Sequence, residues 1–208
     1  MVPTIRRRCS ETGNGSSSGG RVFLAAEGVC SAAVGNAGLL RPPGSQGEPD
    51  FISRCIKCGK CALACPHAVI NMAGASQGVS AGTPTIDARA AACKLCEDFP
   101  CVNACPTGAL RNVEMPAEVN MGYALIDENL CLAHEGMRCE VCYRVCPFID
   151  QAITIDYQQR EGDAIHAKFI PVVNRDVCTG CGLCVERCVV SEPRVAIRIV
   201  SIAEQQKD

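Results

Sequence analysis

Tryptophan is absent from this sequence, and Phe and Tyr bring the aromatic content to only 4% of its 208 residues. Large rings therefore cannot fill a conventional core, and something other than apolar side chains must help hold the chain together. An excess of charge of one sign is also missing: 20 Lys and Arg are interspersed with 22 Asp and Glu, for a net charge of −2. That balance leaves no electrostatic footprint for nucleic acid. Long apolar runs are lacking too. The longest uncharged apolar stretch, Gly28 to Leu40, is 13 residues, short of the roughly 20 that span a bilayer, so no transmembrane span is expected. No nucleophile–base pair, phosphate-cradling glycine loop or paired-carboxylate constellation stands out, which argues against an enzyme with its own catalytic site.

Cysteine is what the chain has in abundance, 18 in all. So many sulfurs demand a disulfide framework or metal, and spacing decides between them. Aligning the cysteines exposes an internal repeat of four units: CIKCGKCALACP (55–66), CKLCEDFPCVNACP (93–106), CLAHEGMRCEVCYRVCP (131–147) and CTGCGLCVERCV (178–189). Each unit begins 28, 26 or 32 residues after the last cysteine of the one before, a near-constant period. A short extended stretch with an acid precedes the later units in TPTIDARAAAC, YALIDENLC and FIPVVNRDVC, and β-type runs follow in AITIDY and RVAIRIV. Each unit thus reads as strand, cysteine loop entering a short helix, then strand.

Cysteines at C-x2-C-x2-C curl around a common centre, and a fourth, three residues on and followed by proline, points to a neighbouring centre. That is the bacterial iron–sulfur pattern, in which the fourth cysteine ligates the partner cluster. The sixteen cysteines Cys55, Cys58, Cys61, Cys65, Cys93, Cys96, Cys101, Cys105, Cys131, Cys139, Cys142, Cys146, Cys178, Cys181, Cys184 and Cys188 then hold four [4Fe–4S] clusters. The second unit widens its second gap and the third unit its first, as loop bulges that leave the sulfurs in place. Structural zinc is disfavoured, because zinc sites pair two hooks and often use histidine, and none of the three histidines has ligand spacing. Disulfides are disfavoured because closely repeated cysteines suit thiolate clusters better than separated bridges.

Two pairings of units are open: neighbours together, or a nested order of first with fourth and second with third. The two regular units are the outer ones, which favours nesting. Nesting groups Cys55, Cys58, Cys61 with Cys188; Cys178, Cys181, Cys184 with Cys65; Cys93, Cys96, Cys101 with Cys146; and Cys131, Cys139, Cys142 with Cys105. Pro66, Pro106 and Pro147 fix the backbone as it leaves each cluster, whereas Val189 stands there in the fourth unit. His134, His67 and His166 read as solvated side chains, Tyr143 as filling, and Lys57 and Lys60 as a solvated loop. Cys9 and Cys30 fall outside every unit.

Residues 1–48 differ in character, with IRRRC, a Gly/Ser-rich tract and RPPGSQGEP. They read as a leader and linker ahead of a cluster-binding domain at 49–208. The order of RPPGS, CIKCGKCALACP, GVSAGTPTIDAR, CEDFPCVNACPTGAL, RCEVCYRVCP, AITI, HAKFIPVV and DVCTGCGLC resembles the NapG/MauM family of ferredoxin-type proteins from about Arg41 to Val200. SAGTP and CYRVCP make the likeness specific, since cluster binding alone does not demand them. The expected fold is α+β: tandem bacterial-ferredoxin-like repeats, with four cluster-binding units in two pseudo-symmetric halves.

The resemblance implies a periplasmic electron-transfer component, peripheral at the inner membrane, that works with a NapH-like membrane quinol-oxidising protein as a quinol dehydrogenase. It would pass electrons to a periplasmic reductase or cytochrome acceptor, most directly a nitrate reductase. The alternatives are a methylamine-utilisation role of the MauM type and an electron-conducting subunit of a molybdopterin oxidoreductase. Export of a folded iron–sulfur protein calls for a twin-arginine signal, to which Arg6, Arg7 and Arg8 correspond. Cys9 and Ser10 stand where family leaders carry Phe-Leu, Glu27 interrupts the apolar segment, and no A-x-A cleavage site follows.

Overall fold

The structure, a computed structural model, describes residues 38–160 and 162–206. The readings that fall on residues 1–37, including Arg6 to Arg8, Cys9, Cys30 and most of the leader, lie outside the described residues.

The first, third and fourth cysteine units are launched by the same local device, whereas Cys93 N–H of the second donates to the Cys181 carbonyl (3.0 Å). The first cysteine's N–H donates to the carbonyl four residues earlier: Cys55 to Phe51 (2.9 Å), Cys131 to Asp127 (3.0 Å) and Cys178 to Asn174 (3.0 Å). Ahead of the last three units a side-chain oxygen caps the turn, with Asp87, Asp127 and Asn174 accepting from the N–H groups of Arg89, Asn129 and Asp176. These Asx turns are the physical meaning of the polar residue before each unit.

The third cysteine of every unit lies in the first turn of a short helix: Cys61 in α2 (Lys60–Ala64), Cys101 in α3 (Pro100–Asn103), Cys142 in α4 (Val141–Arg144) and Cys184 in α5 (Leu183–Arg187). Before them α1 (Glu48–Arg54) carries Pro49 and two acids in its first turn and Arg54 in its last, matching the backbone dipole. The fourth cysteine follows just past each helix, its N–H bonded to the carbonyl three residues before. At Cys65 and Cys188 the cap backbone is extended, which ends the helix.

Strands join the units in two parallel schemes. Between the first and second units, β1 (Ile70–Met72) pairs antiparallel with β2 (Pro84–Ile86), Ile70 opposite Ile86. Outside them, Ser45 bridges Leu110 and Arg111 N–H donates to Gly44 (2.8 Å). Between the third and fourth units, β4 (Ile153–Arg160) pairs antiparallel with β5 (Asp163–Val173). Outside those, β3 (Gly122–Ile126) pairs antiparallel with β6 (Ile197–Ser201), which runs into α6 (Ile202–Gln205). Each half is thus an inner hairpin and an outer pair enclosing two cysteine units. Gly122 is required in the outer pair: its φ is +131°, and a Cβ there would lie 2.0 Å from the Val200 carbonyl oxygen.

The core is built as the composition demands. Phe51, Met121 and Ile153 are its largest fully buried side chains, and Cys61, Cys93, Cys101 and Cys181 belong to its largest apolar cluster. The end of the segment expected to be a linker is folded in. Residues 40–45 are buried, the Leu40 carbonyl accepts from Ile86 N–H (2.8 Å), and the Arg41 guanidinium bonds Thr83 Oγ1 and the Pro84 carbonyl (both 2.7 Å) and ion-pairs with Glu48. The Gly/Pro content of RPPGS marks a fixed turn against β2 rather than a flexible connection.

Candidate metal centres

The sixteen cysteines of the four units are free thiols, and among the described residues no three of them converge tightly enough to hold a single metal ion; they stand instead around cavities. Cys55, Cys58 and Cys61 line one cavity together with Cys105, and Cys93, Cys96 and Cys101 line another with Cys65. Cys131, Cys139 and Cys142 line a third with Cys188. Around Cys184 stand Cys181, Cys178, Cys142 and Cys146, of which Cys146 faces Cys181 and Cys178 while Cys142 faces Cys131 and Cys139. The three cavities are similarly small, ≈ 20, ≈ 20 and ≈ 30 Å³.

This grouping corrects the nested order expected from the gap lengths. Cys188 is not with Cys55, Cys58 and Cys61, nor Cys65 with the fourth unit, nor Cys146 with the second, nor Cys105 with the third. Neighbouring units exchange their fourth cysteines because the β1–β2 and β4–β5 hairpins fold each unit back onto the next. Consecutive elements joined by a short hairpin become spatial neighbours. α2 then packs on α3, and α4 on α5.

Electrostatics ask for a cationic occupant. Burial pushes the thiols of Cys93 and Cys142 up to about 12, and those of Cys61 and Cys101 up to about 11, with neighbouring cysteines adding to the rise. Ionised together, four such thiolates need positive charge among them, which the iron of a cluster would supply. Backbone N–H groups are already aimed at the sulfurs. Ala62, Val102 and Tyr143, each one residue past the third cysteine, interact with the thiols of Cys61, Cys101 and Cys142, and Ala124 N–H donates to Cys178 Sγ (3.4 Å). At Cys105 burial disfavours the thiolate, but donors at Leu110, Thr107 and Ala109 outweigh it and hold the pKa below the ordinary thiol value. Donors of this kind stabilise a sulfur-ligated cluster and tune its potential.

The other residues singled out in the sequence take structural places. Tyr143 packs against the core of the second half and donates its hydroxyl to Asp150 Oδ1 (2.7 Å). Lys57 Nζ donates to the Val79 carbonyl (3.3 Å), Lys60 is exposed, and the His134 carbonyl accepts from Lys168 Nζ (3.4 Å). His67 and His166 are exposed, His67 at the rim of the second cage. Sequence reasoning missed Arg89, Lys94 and Glu186, which link the two halves. They are common surface residue types, and nothing in their spacing marks them.

Tandem dicluster cages on antiparallel hairpins and short helices define a ferredoxin-type iron–sulfur electron-transfer protein. Residues 54–109 and 137–191 each match the 4Fe-4S dicluster domain, one match per half, which with sixteen cysteines gives four [4Fe–4S] clusters. The chain is 45% identical over 167 residues to the ferredoxin-type protein NapG of Escherichia coli, covering 79% of this chain and 72% of that protein. It is 41% identical over 174 residues to the methylamine utilization ferredoxin-type protein MauM of Methylorubrum extorquens, covering 83% of this chain and 77% of that protein. A more distant likeness, 26% over 152 residues, is to the ferredoxin-type protein NapF of Escherichia coli, covering 73% of this chain and 81% of that protein. No solved structure matches the chain. The chain belongs to the NapG/MauM family of ferredoxin-type proteins.

Proposed function

We propose that this chain relays electrons from a NapH-like membrane quinol-oxidising partner towards a periplasmic reductase, nitrate reductase first among them. The four four-cysteine cages in one chain carry the reading. Cys55, Cys58, Cys61 and Cys105 would hold one cluster, and Cys65, Cys93, Cys96 and Cys101 the second. Cys131, Cys139, Cys142 and Cys188 would hold the third, and Cys146, Cys178, Cys181 and Cys184 the fourth. A [4Fe–4S] cluster supplies reversible one-electron chemistry, and the protein supplies its surroundings. Apolar walls such as Val69, Ile70 and Phe99 exclude water from the second cage, while the backbone donors offset the negative charge on sulfur. The two halves then stand as pseudo-symmetric ferredoxin-like modules.

Residues 1–37 act in this reading as a twin-arginine leader that delivers the folded protein to the periplasmic face of the inner membrane. Among the described residues no helix is long and apolar enough to cross a membrane, so contact with quinol falls to the partner. A methylamine-utilisation role is the second reading, favoured by the 41% identity to MauM. The test is to measure iron and acid-labile sulfide on anaerobically purified protein, then add a quinol analogue with and without membranes carrying the NapH-like partner. About sixteen irons and sixteen sulfides per chain, with visible absorption that bleaches only when the partner is present, is the expected result. Zinc without sulfide overturns the cofactor assignment, and loaded protein that the partner cannot reduce overturns the relay.

A further inference from the structure

The halves meet at a built junction. Cys93 N–H donates to the carbonyl of Cys181 (3.0 Å). Cys181 is also buried in the apolar cluster that surrounds the first half. Three side chains hold this contact. The Arg89 guanidinium donates to the carbonyls of Val185 (2.9 Å), Glu186 (3.3 Å) and Cys188 (2.9 Å), closing the C-terminal end of α5 where a cation complements the helix dipole. The Glu186 carboxylate returns the contact, accepting from Ala92 N–H (2.8 Å) and Lys94 Nζ (2.7 Å) on either side of Cys93. Gly182 lets the backbones close: at φ +85° it faces Ala88, whose Cβ would lie 2.5 Å from any Cβ added there.

We propose that Arg89, Lys94 and Glu186 form a positioning clamp that holds the second-unit cage against the fourth-unit cage. Resting on the cage assignment above, the order of cages through the protein is first, second, fourth, third, which differs from their order along the chain. The cages of Cys55 and Cys131 then become the two ends, because Cys105 and Cys65 tie the first cage to the second, and Cys188 and Cys146 tie the third to the fourth. The clamp makes no bond to iron and acts through the backbone on either side of Cys93 and Cys181.

The experiment uses the full chain, anaerobically loaded with iron and sulfide. Amide hydrogen exchange is followed at residues 92–95, and paramagnetic resonance reports magnetic coupling between cages in the reduced state. In Glu186→Gln and Arg89→Ala, exchange at Ala92 and Cys93 is expected to rise about tenfold, the loss of roughly one hydrogen bond's protection. Coupling between the second and fourth cages should weaken while iron content is unchanged. Emptying the second cage with Cys96→Ala should remove the splitting of the fourth-cage signal, and emptying the first with Cys58→Ala should leave it. The proposal is overturned if splitting survives Cys96→Ala and vanishes in Cys58→Ala, or if the clamp variants exchange and couple like the parent. Should Arg89→Ala lose its iron, Arg89→Lys and Lys94→Ala remove fewer bonds and decide by the same readouts. A parent chain that binds no iron refutes the cage assignment instead, and the clamp is then judged by amide exchange alone.

Discussion

Replacing Arg41 by Ala should loosen the first half of the protein severely. In the Arg41–Glu48 pair Arg41 is buried and Glu48 partly so, with side-chain exposures of 5% and 22%. Arg41 also satisfies Thr83 Oγ1 and the Pro84 carbonyl, and its guanidinium lies 4.8 Å above the Phe51 ring. Removing it takes from Glu48 its ion-pair partner and leaves the Pro84 carbonyl without its side-chain donor, and breaking a buried pair costs about 3–5 kcal/mol. Glu48 keeps a hydrogen bond from Ser80 Oγ (2.9 Å) and some water, which places the expectation near the lower bound, about 3 kcal/mol.

Unfolding of a cluster protein is irreversible, so the quantity to measure is the rate at which visible absorption is lost in guanidinium under anaerobic conditions. Arg41 reaches residues more than forty positions away, contacts that break before the unfolding barrier in a locally nucleated chain. Most of the loss therefore appears in the unfolding rate, as an acceleration of about a hundredfold. The double substitution Arg41→Met, Glu48→Met leaves no buried charge and should recover most of the stability. A rate for Arg41→Ala within about threefold of the parent, less than 0.7 kcal/mol, refutes the reasoning and returns residues 40–45 to the status of a linker.

Cys105→Ala should remove about four irons per chain from the cage of Cys55, Cys58 and Cys61 and leave the second cage filled; loss instead of the resonance that disappears in Cys96→Ala would reverse the grouping. Gly122→Ala, with its Cβ driven into the Val200 carbonyl, should separate β3 from β6 and lower the thermal midpoint by several degrees; an unchanged midpoint would show that the outer pair yields without cost. Chelating the iron should abolish the folded state, because buried thiols replace cluster ligation as the contents of the core, and circular dichroism retained in the metal-free chain would contradict this.

Much of the site was legible because ligand spacing is a local property. A third cysteine in the first turn of a short helix and a fourth just past its end follow from a gap of three residues, and all four units have that form. The acid ahead of the second and third units announced the turns at Asp87 and Asp127, whereas at the fourth unit the amide Asn174, not the acid Asp176, accepts the bond. AITIDY and RVAIRIV became β4 and β6 because alternating β-branched residues suit a half-buried strand. RPPGS misled because Pro and Gly mark a fixed turn and a flexible linker alike, and only the buried Arg41 distinguishes them.

By itself, then, the sequence determined the number of cysteine units, the local backbone around each and the kind of cofactor they suit, since these depend on residues a few positions apart. Tertiary structure alone decided which units share their fourth cysteines and where the halves touch. Gap lengths pointed to nested pairs without requiring them, so the choice rests on strand register. Ile70 opposite Ile86 folds the first unit onto the second, and Ile153 opposite Val173 folds the third onto the fourth. The junction between halves depends on residues more than ninety positions apart, Arg89 with Cys188 and Lys94 with Glu186, whose meeting no local pattern encodes.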